Sequence, residues 1–445
     1  MTAGDQLLVT ATANASAGAS FPPVPLTLSI TAPDGGPLAP MRQILDHGRA
    51  QFLLPLDMAG TYRLAVSGSG FTGATTQVTV RPGRATSLLA LLPSPFASSR
   101  AGLSLRVWAV DAHRNPLTTT APIRVVWRFR GRRGAPWHRV AAESGATIPL
   151  PAAPPGSDCS VAVRLEAPSL ALRAHQILPC TLEAAPAASI AGTGIFLSYW
   201  VARDASAAGI VDQAVRDHVH TLYVEVAIPG TGFWGEPGLD RLLAPAHAAG
   251  LAVIAWVPAN LGDPARDTAA ARAALTYTTP LGQRVDGLAA DFEGQLGARV
   301  VLPYLRAVRA AAGAGRVVAA VADPPTTSIT VPYALFATYA NVLMPMDYWQ
   351  NSESLDTYAD AYRAVASAVA LVRSEAPGSV VEPVLQAYDP FAPGGTGVYN
   401  PEPLAEDGAL GGARAAGALG AAFFQWGTLT NAEWRVVAGA GTTPF

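Results

Sequence analysis

The chain has 445 residues, half of them apolar, a net charge of −2 and a charged fraction of 14%. That size and apolar content allow several buried cores, while the charge balance supplies neither a basic field for nucleic acid nor an acidic tail. All 30 basic residues are Arg, which excludes Schiff-base and phosphate-loop lysine chemistry.

No apolar run approaches the roughly 20 residues that span a bilayer. The start, Met1-Thr2-Ala3-Gly4-Asp5, lacks the basic-then-apolar pattern of a signal peptide, so the protein is cytosolic or its signal is not part of this chain. The only two cysteines, Cys159 and Cys180, fall within one β-rich segment. They form either one bridge, as in exported domains, or two buried thiols.

From Gln6 to Val80, short alternating runs such as Leu7-Leu8-Val9-Thr10 and Leu26-Thr27-Leu28-Ser29-Ile30 are broken by turn clusters such as Pro33-Asp34-Gly35-Gly36. The spacing predicts an all-β sandwich. Ala59-Gly60-Thr61-Tyr62 with the later run Thr76-Gln77-Val78-Thr79-Val80 resembles the end of bacterial immunoglobulin-like modules. Beyond Arg81-Pro82-Gly83, the run 103–112 with its Asn115-Pro116 turn resembles an opening strand of the same kind, and 123–129 and 161–165 add strands. Two tandem sandwiches, 1–83 and 84–186, follow as a weak internal repeat. Arg128-Phe129-Arg130-Gly131-Arg132-Arg133 is read as an exposed hairpin of solvated arginines rather than a polyanion patch.

The Ala/Pro-rich stretch 183–188 marks a link to a different architecture. Strands are predicted over 194–199, 221–226, 252–257, 287–293, 317–321, 342–348, 380–388 and 421–426. Helices are predicted over 207–217, 239–249, 265–277, 300–312, 358–375 and 406–418. This alternation predicts an α/β (β/α)8 TIM barrel over 187–445; a doubly wound sheet lacks its Gly-rich nucleotide loop.

In such a barrel the strand tips carry the chemistry. They hold Tyr199 and Trp200, Glu225, Trp256, Asp291 and Glu293, Asp323, Asp347-Tyr348-Trp349, Gln386 and Tyr388, then Gln425 and Trp426. Carboxylates with aromatics suit a sugar cleft, where rings stack on pyranose faces and carboxyl groups move protons. Asp291 and Glu293 lie two residues apart, about 6.5 Å between α-carbons. Coupling between them would raise the pKa of one. A pair including Asp347 or Glu225 could instead act as acid and nucleophile or base. Each residue has a structural alternative: Glu293 a salt-bridged carboxylate, Tyr348 and Trp426 core aromatics, Asp323 before Pro324-Pro325 a turn opener. The barrel's histidines, His218, His220 and His247, lie away from the tips, arguing against a His-rich metal site or a Ser-His-Asp triad. No cofactor is expected, and a carboxylate-only Mg²⁺ or Ca²⁺ site stays open.

Asp286-Gly287-Leu288-Ala289-Ala290-Asp291-Phe292-Glu293 resembles the fourth-strand Asp-x-x-Asp-x-Asp-x-Glu motif of chitinase-type (family-eighteen) glycoside hydrolases. Met346-Asp347-Tyr348-Trp349 resembles their sixth-strand Met-x-Tyr-Asp, and Trp426 falls where their last strand carries a stacking Trp. The resemblance implies Glu293 as general acid, Asp291 as the group orienting a substrate N-acetyl nucleophile, and Tyr348 as a donor to that group. Ala289 and Trp349 depart from the motif, each replacing an acid. Trp426, Trp256, Asp347, Gln386, Tyr388, Asp323, Glu225, Trp349 and Tyr199 are the expected substrate contacts. The expectation is a secreted or cell-surface protein acting on a polysaccharide; the alternative is a non-catalytic surface protein with a degenerate glycan-binding barrel.

Overall fold

The computed structural model describes residues 1–13, 23–33, 37–98, 103–130, 136–151, 159–183, 186–198, 206–228, 231–293, 297–324, 331–349, 357–387, 403–443 and 445. Strand Arg49–Leu56 alternates strictly between exposed and buried positions, sending Ala50, Phe52, Leu54 and Leu56 inward. It pairs with Asp5–Thr12. Opposite them lies a four-stranded sheet in the order Pro37–Leu45, Val24–Thr31, Gly60–Gly68, Ala74–Val80. Leu28, Ile30, Tyr62 and Leu64 from that sheet complete one core.

A second pair of sheets encloses a separate core around Leu105, Val107, Val125, Trp127, Val163 and Leu165. Ser104–Val110 is central to one sheet. The other runs His138–Ala142, Ile123–Phe129, Cys159–Ala167, Leu172–Glu183, Phe96–Ser98. Asp111 ties the two β-rich regions together: it accepts from the Gly83 N–H at 2.7 Å and from the Asn115 amide, which also donates to Asp57 O. Cys180 is disulfide-bonded, and Cys159, its register partner, is the only other cysteine. The alternative left open by the sequence is settled as a bridge, which for a loop of this size stabilises by about 3 kcal/mol.

Beyond them, eight parallel strands close into a barrel: β1 (Gly192–Leu197), β2 (Thr221–Glu225), β3 (Ala252–Pro258), β4 (Gly287–Phe292), β5 (Val317–Ala322), β6 (Val342–Asp347), β7 (Val384–Gln386) and β8 (Gly420–Phe424). Each is followed by a helix: α1 (Ala207–Arg216), α2 (Glu236–Ala248), α3 (Pro264–Thr276), α4 (Ala298–Ala312), α5 (Tyr333–Tyr339), α6 (Tyr358–Glu375), α7 (Pro403–Ala415) and α8 (Asn431–Thr442). Side-chain caps start several of them: Ser206 for α1, Asp263 for α3, Thr357 for α6, and a Thr430/Glu433 capping box for α8. Gly408 and Gly412 let α7 pack on the backbone of α6, since a Cβ at 408 would sit 2.2 Å from Tyr358 O.

The stretch read as a linker does more than join. Pro186–Ile190 forms a 3-10 turn whose Ala187 and Ile190 are buried with the lumen side chains, plugging the end of the barrel where the strands begin. The same end is gripped by the second β-rich region. Trp108 donates to Leu281 O at 3.0 Å, Arg284 N to Pro93 O at 3.2 Å and Gln283 Nε2 to Leu92 O at 2.6 Å. Behind them is a buried network: His247 Nε2 lies 3.0 Å from Asp286 Oδ2 and its Nδ1 2.6 Å from Gln283 Oε1. Asp286 also accepts from Val253 N at 2.8 Å and from the Ser94 hydroxyl. Among the described residues, no helix is long and apolar enough to cross a membrane.

Candidate active site

Strand alternation decides which side chains meet at the barrel mouth. On β4, Leu288, Ala290 and Phe292 pack against the helices, while Ala289 joins the lumen core with Tyr223, Trp256, Val321, Met344 and Ala422. The same parity directs Glu225, Trp256, Asp291 and Gln386 to the lumen side.

Asp291 is 4% exposed. Trp256 Nε1 donates to its Oδ2 at 2.9 Å, whereas among the described residues its Oδ1 is buried without a partner. Burial raises its pKa to about 7; the Trp256 hydrogen bond opposes this, and Glu293, Asp323 and Glu225 reinforce it. Of the Asp291/Glu293 pair, Asp291 is thus the group whose proton is held upward. Edge-on contacts with Phe196 (5.3 Å, 89°) and Phe424 (5.6 Å, 85°) hold the indole. Ala289 is the register partner of Trp256, and its methyl leaves room for that indole. Where the family motif has an acid, this chain has space filled by a neutral donor.

Glu293 follows the strand and is exposed at the mouth. Asp323, after β5, is half-buried, and burial raises its pKa. Tyr348 is half-buried beside the lumen core, 5.9 Å from Phe424. Gln386 is fully buried.

Asp347 and Trp349 do not join this group. Val342, Met344 and Met346 point inward, so parity turns Asp347 and Trp349 toward the helices. Trp349 is 4% exposed in the helix-side core, and Asp347 lies within electrostatic reach of Tyr333 on α5. Trp426 also packs on the helix side, 4.7 Å from Trp434 of α8. Phe424 takes the lumen position on β8. Tyr199, Trp200 and Tyr388 lie outside the described residues. Among the described residues, no group of three or more His, Cys, Asp or Glu is placed to hold a metal ion.

The sequence reading missed Glu382, which lies inside the barrel and is fully buried. Tyr223 donates to its Oε2 at 2.9 Å, and burial raises its pKa to about 8. Alternation through Glu382, Val384 and Gln386 was the available signal. A carboxyl that ionises near its ordinary value of 4.5 when unfolded but near 8 when folded releases a proton on unfolding between those pH values. The fold therefore loses stability as pH rises through that window. Glu382→Gln is expected to flatten this decline and to raise the melting temperature at pH 9 by several degrees, at roughly 2–4 °C per kcal/mol. Parallel melting curves of the two proteins from pH 5 to 9 would argue against it.

No family model matches the chain. No curated protein matches it either. Solved structures similar to it include the C-terminal domain of a putative chitinase from Desulfitobacterium hafniense (11% identity, TM-score 0.43, covering 56% of this chain and 99% of that one). They also include a β-glucuronidase from an uncultured Clostridium (10%, 0.42, 94% and 78%) and a spore cortex-lytic enzyme from Bacillus cereus (12%, 0.41, 66% and 88%).

Proposed function

We propose that this chain is a secreted or cell-surface glycoside hydrolase, a (β/α)8 TIM barrel behind two immunoglobulin-like sandwiches (1–83 and 84–186), acting on a polysaccharide. The observation that carries the reading is the carboxylate pair on the end of β4: Asp291 buried with one oxygen held by Trp256 and the other without a partner among the described residues, and Glu293 exposed beside it at the mouth. The disulfide favours an oxidising compartment.

In this reading a sugar ring lies over the mouth against Tyr348 and Phe424. Glu293 gives a proton to the glycosidic oxygen as the bond to the anomeric carbon breaks. Ionised Asp291 orients the substrate's acetamido oxygen toward the anomeric carbon, where a new C–O bond replaces the broken one until water attacks that carbon and restores the acetamido group. Trp256 fixes one carboxylate oxygen, so the carboxylate does not rotate. Asp291 must lose its proton to do this while Glu293 keeps one, so the pair works singly protonated and the pH–rate profile is bell-shaped, with one limb near 7.

Reducing-end release from a panel of acetamido and neutral glycans tests the proposal. Turnover of an acetamido glycan is expected, and calorimetric oligosaccharide binding without turnover of any panel member would select the non-catalytic glycan-binding alternative that Ala289 favours. Trp256→Phe removes the donor that lowers the Asp291 pKa. It should move the limb near 7 upward and lower kcat/KM roughly tenfold, the worth of a hydrogen bond to a charged group. An unmoved limb would remove Trp256 as the residue positioning Asp291.

A further inference from the structure

Far from the barrel mouth, register places widely separated arginines on one outward face of the five-stranded sheet. Directly paired residues share a face. Val126 is opposite Arg139 and Arg164, Arg124 is opposite Glu166, and Glu166 is opposite Arg173. His175 faces Arg164, and Arg128 lies two residues beyond Val126 on the same side. Strands sit about 4.8 Å apart, so these groups form a continuous plane.

The positive charge on this plane is not balanced within it. The described residues from Arg124 to Arg128 and their cross-strand partners contribute five Arg and one His against a single carboxylate, Glu166. Arg124, Arg139, Arg164 and Arg173 are exposed, although the chain as a whole carries −2. The segment read as a solvated hairpin contributes Arg128 to this larger surface. A cleft lined by Arg124, Arg139, Arg164, Arg173 and His175 runs over the face, with a volume of about 880 Å³.

We propose that this face binds a linear polysaccharide bearing carboxylate groups, a polyuronate. Glu166 shows how a carboxylate is taken here: Arg173 reaches it at 3.0 Å and Arg124 at 3.8 Å, two guanidinium groups from different strands converging on one carboxyl. Carboxylates spaced along a glycan would meet Arg139, Arg164 and Arg128 in the same manner. Single-stranded nucleic acid fits less well, because its binding depends on aromatic rings open for base stacking. Here the Trp137 ring is already engaged by the guanidinium groups of Arg128 and Arg164, each 4.6 Å from its centre.

The test uses the full chain and alginate oligomers at low ionic strength, followed by calorimetry, with dextran and single-stranded DNA as comparisons. Alginate should bind and weaken as salt is raised, dextran should not, and DNA should bind more weakly than alginate. Arg124→Gln/Arg139→Gln/Arg164→Gln, checked for an unchanged melting transition, should weaken alginate binding at least tenfold; single Arg139→Glu, at an exposed edge position, does so if the triple variant unfolds. The arginine variants should leave glycan turnover at the barrel mouth unchanged, which separates this face from it. The proposal is overturned if alginate does not bind, if the folded arginine variants bind as well as the parent, or if DNA binds more tightly.

Discussion

Glu293→Gln is expected to lower kcat on a hydrolysed glycan roughly 10²- to 10⁴-fold, the range for removal of a general acid. The amide keeps the size of the carboxyl but has no proton to give to the leaving oxygen. Since Glu293 is exposed beyond the last residue of β4, no core contact is lost. The melting transition should stay within about a degree of the parent, as surface substitutions usually do. Substrates with a good leaving group, such as aryl glycosides, need less protonation and should be spared in part. Equal activity on natural glycans in parent and variant would remove Glu293 from the chemistry, and equal loss on both substrate kinds would point to damage at the site instead.

Asp286→Ala is expected to cost the barrel about 3–5 kcal/mol, since it leaves buried polar partners unsatisfied at roughly 1–3 kcal/mol each. The side chain is 1% exposed and meets His247, Val253 N and the Ser94 hydroxyl together. Truncation strands His247 Nε2 and Val253 N inside the protein, while the half-buried Ser94 keeps Phe96 O. Asp286→Asn, which retains an oxygen for Val253 N, should lose less than the alanine variant. Denaturant unfolding followed by tryptophan fluorescence measures the difference. A loss below 1 kcal/mol would show that the network does not hold the barrel to its neighbour. Because this cluster precedes β4 and the carboxylate pair ends it, turnover per folded molecule should be unaffected.

Much of the barrel was legible because its two periods are distinct: compact apolar runs for strands buried on both faces, and Ala-rich capped stretches for helices. The predicted helix over 358–375 coincides with α6. Two helices were missed. α5 has seven residues and α8 ends in Gly and Thr, so neither carries a strong period. The strand predicted over 380–388 contracts to Val384–Gln386, since Pro383 cannot donate to the ladder.

The candidate site was legible in kind and less so in membership. Asp347-Tyr348-Trp349 reads as one polar-aromatic tip, but neighbours in sequence point to opposite faces of a strand, and only Tyr348 stays with the lumen group. The Trp256–Asp291 hydrogen bond joins residues 35 apart. Their strands' order could be inferred, but not that an indole would occupy the space left by Ala289. The arginine face was illegible for a related reason, because it exists only through the pairing of three antiparallel ladders.

The loops that precede β1 and β4 are those gripped by, or continuous with, the second β-rich region. The barrel is therefore held as a cup is held by its foot, with its rim facing away from the hand. A polymer reaching the carboxylate pair must therefore arrive from the opposite end, where the strands finish.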